Sequence, residues 1–159
     1  LLNVPVDRKG LIPYADSVRL MELAEVIRKS FDENLAVMAE VSGSSTRNIF
    51  KPENLVDDNN RTYWAFADSL AKIELVFKEP KTLNRIVLQE GIEFGQRIKA
   101  FAVDVWKDGR YEELDRQTTM GYKRILSFNE VTTTKVRVRI LEAKAPPVLG
   151  EIKLFRAEE

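Results

Sequence analysis

The 159-residue chain contains neither cysteine nor histidine. Without cysteine there can be no disulfide, no thiolate metal site and no cysteine nucleophile. Without histidine the commonest general base, the usual catalytic zinc ligand and every Ser-His-Asp arrangement fall away. An enzyme made from this alphabet would have to use paired carboxylates, or lysine and tyrosine. An excess of charge of either sign is also missing. Lys+Arg and Asp+Glu number 25 each, for a formal net charge of zero and a pI near 6.7. Neither nucleic acid nor a membrane is therefore expected as a partner, and no apolar run approaches bilayer-spanning length. What is present, 44% hydrophobic and 31% charged residues, suits one globular domain with a substantial core. The opening Leu1-Leu2-Asn3-Val4-Pro5 lacks an initiator methionine and reads as part of a longer polypeptide, so the lack of a signal peptide says nothing about export.

Two grammars divide the chain near residue 40. Ahead of it, residues 17–31 are free of Gly and Pro, with Asp16 as the expected N-cap. Leu20, Leu23, Ala24, Ile27 and Phe31 recur at helical spacing and form one apolar stripe. The segment before them, with Pro5, Gly10 and Pro13, is punctuated like a loop. After residue 42 the period changes to two. Ile73, Leu75 and Phe77, then Ile86 and Leu88, then Phe101, Val103 and Val105 alternate with polar or smaller neighbours. Residues 135–140, Lys-Val-Arg-Val-Arg-Ile, alternate strictly, and Ile152 and Leu154 close the series. The Asp108-Gly109 pair predicts a hairpin turn. The expected fold is mainly β, a sandwich or jelly roll of about eight antiparallel strands, preceded by one helix. Residues 41–48, rich in Ser, Thr and Gly, read as a linker or as the loop that leads into the sandwich.

Several blocks carry a family resemblance: residues 89–101 (QEGIEFGQRIKAF), residues 118–126 (TTMGYKRIL), Asn54-Leu55-Val56-Asp57 and Thr62-Tyr63-Trp64. Together they resemble the discoidin-like sandwich (coagulation factor V/VIII type C, galactose-binding-like) attached to bacterial α-L-fucosidases. Residues 1–12 resemble the last barrel strand and following loop of the same enzymes. The resemblance implies two parts: residues 1–36 as the end of the catalytic barrel (strand, loop and helix), and residues 37–159 as the sandwich. It further implies a retaining glycoside hydrolase that removes α-L-fucose using two carboxyl groups. Neither motif of that pair matches any position here. The expected role is then that of a non-catalytic accessory domain, which buttresses the barrel of its own polypeptide or captures fucosylated or galactosylated glycans, in an exported periplasmic or extracellular protein. A free-standing membrane- or protein-binding discoidin domain is the rival. No loop carries the cluster of exposed apolar and basic residues that membrane docking uses.

The resemblance also implies one structural Ca²⁺, carried over onto Asp57, Asn59, Thr62 and Glu151, because hard cations take oxygen ligands from tight polar loops. Asp58 stands where the family has glycine, and Asp tolerates the positive φ this suggests. A solvated turn in which Asp and Thr cap their own backbone is the alternative. Glu90, Gln96 and Arg97 surround a loop beside Gly95, and with Tyr122 they form a set able to bind sugar hydroxyls. They can equally be structural, with Arg97 paired to Glu90 or touching the barrel. Trp64 is expected in the core. The parity of Trp106 places it on the outer face, where it can stack on a sugar, pack within the domain or contact the barrel.

Overall fold

The computed structural model describes residues 3–44, 51–59 and 61–157. Leu1, Leu2, Asn60 and residues 45–48 of the expected linker lie outside the described residues. Helix α1 spans Tyr14–Ser30, starting at Pro13 with no side-chain cap. Asp16 therefore lies inside the first turn, where its negative charge still meets the positive helix end. No barrel-type strand forms within residues 3–13, since a strand needs neighbouring strands to take its backbone bonds.

Seven strands follow among the described residues: β1 Glu40–Gly43, β2 Trp64–Ala65, β3 Ala71–Glu90, β4 Ile98–Lys107, β5 Arg110–Gln117, β6 Arg124–Ala143 and β7 Val148–Phe155. All pairings are antiparallel. The count is below eight because separate alternating runs merge into two 20-residue strands, β3 and β6. Their register shifts between Val76 and Lys81 and again between Leu83 and Arg85. Pro80, which has no N–H to give, sits in the first shift. Each long strand thus serves both layers of the sandwich. One layer runs β1–β3–β6–β4–β5 through the first half of β3; the other runs β2–β7–β3–β6 through its second half. The β4–β5 hairpin turns at Asp108 (φ 49°) and Gly109 (φ 81°), the double positive φ of a type I′ turn.

Ile73, Leu75, Ile86, Leu88, Phe101, Val103, Val136, Val138, Ile152 and Leu154 fill the core between the layers, as their parity requires. Trp64 is fully buried and stacks on Phe66 with ring centroids 4.4 Å apart. A Cβ at Gly43 would lie 2.6 Å from the Trp64 ring and 2.2 Å from the Lys72 carbonyl oxygen, so only glycine lets β1 pass so close. Leu35 and Ala36 belong to this same core. The sandwich therefore recruits residues ahead of position 37, from a short 3₁₀ turn at Leu35–Met38.

The second layer departs from the expected wet outer face. On β3 and β7, Val87, Gln89, Glu151 and Phe155 point outward yet are buried. The end of α1 covers part of this face, with Phe31 edge-on to Phe155 at 5.2 Å. Asp58 covers another part, paired with Lys153 of β7. Beyond Phe31 the helix is open: Met21, Leu23, Val26 and Ile27 are all exposed. Leu23, Val26 and Ile27 share one side of the helix, where Ile27 meets the sandwich at the rim of a pocket with Val87 and Phe155, while Met21 points away from them.

Candidate functional site

The loop after residue 56 is built by short side chains that bond their own backbone. The Asp57 carboxylate accepts from the Asn59 N–H (3.0 Å), and the Asn59 side chain accepts from the Arg61 N–H (3.1 Å). The Thr62 hydroxyl lies 2.9 and 2.8 Å from the two Asp57 oxygens and 2.7 Å from the Asn59 carbonyl oxygen. Asp58 has φ 58°, the conformation expected at this position. Asp57, Asn59 and Thr62 are thus brought together as an oxygen-only cluster.

Glu151 takes different partners. It is 1% exposed, and one oxygen accepts from the Gln89 side chain at 3.2 Å. The other lies 3.0 Å from the Lys153 ammonium, its only compensation among the described residues. Lys153 also binds Asp58, so a single ammonium ties the loop to β7. Burial raises the Glu151 carboxyl above its ordinary range, while Lys153 pulls it back. The hydrogen bond from Lys153 lowers Asp58. Burial pulls Lys153 down, but its bonds to Asp58 and Glu151 more than offset this and leave it raised.

Glu90, at the end of β3, is a structural node rather than a free carboxylate. Buried to 3% exposure, it accepts from the backbone N–H groups of Arg97, Ile98 (2.8 Å) and Gly121 (3.3 Å). Its own N–H donates to the Gly121 carbonyl at 3.0 Å. One side chain therefore fixes the start of β4 and the turn before β6. No Arg97–Glu90 ion pair is seen among the described residues; Glu90 holds the Arg97 backbone N–H. The guanidinium instead donates to the carbonyls of Phe94 (3.1 Å) and Pro146 (2.7 Å). Gln96 is exposed beside them. Tyr122 stands directly after Gly121 and is 65% exposed.

These elements enclose a cavity of about 190 Å³, whose walls include Thr62, Tyr63, Gln89, Glu93, Tyr122 and Gly150. Gly150 is the residue at which the β3–β7 register slips, since Gln89 faces Glu151 while Glu90 faces Leu149. Of the expected sugar-binding set, Glu90 and Tyr122 line this cavity. Trp106 lies on the other layer, on the outer face as its parity required. Tyr111 meets its ring edge-on at 5.0 Å and the Lys135 ammonium lies 4.7 Å from its centroid.

The sequence matches the F5/8 type C domain family over residues 39–151. The chain belongs to this family. Over 98% of its length it is 32% identical to alpha-L-fucosidase 1 of Arabidopsis thaliana, covering 32% of that protein. Among solved structures it is similar to SpGH29, with 39% identity, a TM-score of 0.90, and coverage of 99% of this chain and 35% of that one. It is also similar to a Ruminococcus gnavus GH29 fucosidase in complex with fucose, with 29% identity, a TM-score of 0.89, and coverage of 100% and 34%. The chain thus spans about a third of these relatives. The matches extend through α1 and the segment before it, beyond the F5/8 type C region itself.

Two features of this F5/8 type C domain escaped the sequence reading. One is the Gln89–Glu151–Lys153–Asp58 chain on the second layer. The other is an ionic layer on the first, where Asp104, 1% exposed, takes both Arg137 and Arg139 at 2.7 Å. Arg137 lies 3.7 Å over the Tyr111 ring. The signal for the second was present, since Asp104 alternates with Phe101, Val103 and Val105 and faces the arginines of the 135–140 run.

Proposed function

We propose that this F5/8 type C domain is the non-catalytic accessory part of an α-L-fucosidase, and that it docks on the catalytic domain of its own polypeptide through α1. The observation that carries this reading is the apolar side of α1 formed by Leu23, Val26 and Ile27, 42–60% exposed. Contiguous apolar surface of this kind marks an interface. The relatives that match across α1 are fucosidases three times as long, so the missing two thirds supply the occupant. In the isolated chain, Leu23→Lys combined with Ile27→Glu should cost no more than about 1 kcal/mol in urea denaturation, because both side chains are about half exposed and line only the rims of open pockets. A much larger loss would mean that the face is already buried within this chain.

The chemistry of the Asp57 loop suits a Ca²⁺ ion held by Asp57, the Asn59 carbonyl and Thr62, since all are hard oxygen donors. Glu151 contributes little to such a site while Lys153 neutralises it. A bound ion would fasten the loop and raise the melting temperature in millimolar Ca²⁺ relative to EDTA, by a few degrees for a modest affinity. Thr62→Val should abolish the difference. Superimposable curves for the wild-type chain would remove calcium from the account.

A further inference from the structure

We infer that the pocket between the end of α1 and the outward face of the second layer receives an apolar side chain from the catalytic domain, beside an acidic residue that pairs with Lys123. This contact presupposes the docking of α1 and specifies where that docking is anchored.

The pocket follows from the register of three strands. Lys153 of β7, Val87 of β3 and Ile125 of β6 stand side by side across the sheet. Val87 and Ile125 make an apolar floor where an outer face ordinarily carries polar side chains. The end of α1 supplies the facing wall with Ile27 and Phe31. Phe31 is fixed from two sides, edge-on to Phe155 at 5.2 Å and with the Arg85 guanidinium 5.2 Å from its centroid. The wall is therefore set before any partner arrives, which lowers the entropy lost on docking.

The enclosed volume is about 350 Å³, toward the small end of binding pockets, and suits one large side chain. Val87 and Phe155 are each 4% exposed, whereas Ile27 and Ile125 are 51% and 47% exposed. The two isoleucines thus present apolar surface that an inserted side chain would shield from water. Anchors buried in such pockets carry most of the binding energy of an interface.

Two observations choose the occupant. The first is continuity. Ile27 belongs both to this pocket and to the docking side of α1, so a surface that covers that side runs on into the pocket. The relatives that match along α1 are fucosidases about three times as long, and the part of them that this chain does not span is the partner at hand. The second is charge. Lys123 and Lys153 both line the pocket. Lys153 is engaged by Asp58 and Glu151, so the exposed Lys123 is the cation that meets an incoming acid. An ammonium at the rim of an apolar pocket favours a carboxylate next to the inserted side chain.

The test uses the longer polypeptide that joins this chain to its catalytic domain. A photoreactive benzophenone side chain would replace Ile125, and the cross-linked peptides would be sequenced by mass spectrometry. The same side chain at Val26 reports on α1 docking alone. In parallel, a water-soluble carbodiimide would couple the Lys123 ammonium of the unmodified protein to any carboxylate in contact with it. This arm reads the contact whatever the Ile125 variant does to folding. Mixing ¹⁴N- and ¹⁵N-labelled protein separates contacts within one polypeptide from those between two copies. The expected result is capture of a catalytic-domain segment at Ile125, with Lys123 joined to an Asp or Glu of the same segment. Lys123→Gln should abolish the carbodiimide product and leave the Ile125 cross-link. Capture of a second copy, capture only within this chain, or a Lys123 product without a catalytic-domain carboxylate overturns the inference. Capture at Val26 with none at Ile125 overturns it while α1 docking stands. Blanks at both positions overturn both.

Discussion

Replacing Lys153 with methionine should destabilise the domain by about 3 kcal/mol at pH 7, because it strands a buried carboxylate without its cation. Glu151 is 1% exposed; besides Lys153 it meets the Gln89 amide and the Asp58 carboxyl, whose charge raises it further. The pH dependence separates charge from packing. Burial already raises the Glu151 carboxyl, and removing Lys153 lifts it further. A carboxyl raised in the folded state favours folding below its unfolded pKa, and that contribution is lost as pH rises through the folded value. The variant therefore suffers most at neutral pH and recovers as Glu151 takes up a proton in acid. Asp58 acts in the same direction. The hydrogen bond from Lys153 lowers it, so in the wild type its contribution is present above its unfolded pKa and is lost as pH falls. Urea denaturation at pH 7 and pH 4 should show the gap between wild type and Lys153→Met closing in acid, with Lys153→Arg close to wild type throughout. A gap of equal size at both pH values would mean that the aliphatic stem of Lys153 matters and its charge does not.

Glu90→Ala should cost at least as much, about 3–5 kcal/mol, because it leaves three backbone N–H groups without their acceptor and each such loss in a buried setting costs 1–3 kcal/mol. The Ile98 N–H is the most costly, since Ile98 is 1% exposed. Glu90→Gln keeps one acceptor oxygen but turns an NH₂ group toward a donor, so an intermediate loss is expected. Hydrogen exchange supplies the local readout. The amides of Arg97, Ile98 and Gly121 should lose protection before the rest of β4 and β6 does. Stability within about 1 kcal/mol of wild type, with those amides still protected, would show that water replaces the carboxylate and that Glu90 is not the node described above.

The parts of this fold that could be read in the sequence are those fixed by local rules. Strict alternation at residues 135–140 placed Val136, Val138 and Ile140 in the core, and Asp108-Gly109 specified the hairpin turn. Continuity could not be read in the same way. The runs around Ile73 and Ile86 looked like separate strands because Pro80 lies between them, yet both pair with β6 across a register shift and form one bent strand. The candidate sites divide along the same line. The Asp57–Thr62 turn closes on itself within five residues, so its residue types announced it. Lys153 and Asp58 lie 95 positions apart. They meet because Asp58 lies over an outward face of β7 whose register only the assembled sheet defines. Gln89 was hidden for a related reason: an outward glutamine on an alternating strand reads as solvated until a loop and a helix end are known to cover it.

The docking of α1 is the claim on which the proposed function rests, and a single comparison tests it most directly. In the longer polypeptide that joins this chain to a fucosidase catalytic domain, Leu23→Lys with Ile27→Glu would be compared with wild type by differential scanning calorimetry. The account predicts that the catalytic domain melts several degrees lower, as expected when an interface worth a few kcal/mol is lost, while the transition of the sandwich itself stays in place. An unchanged catalytic transition would contradict it.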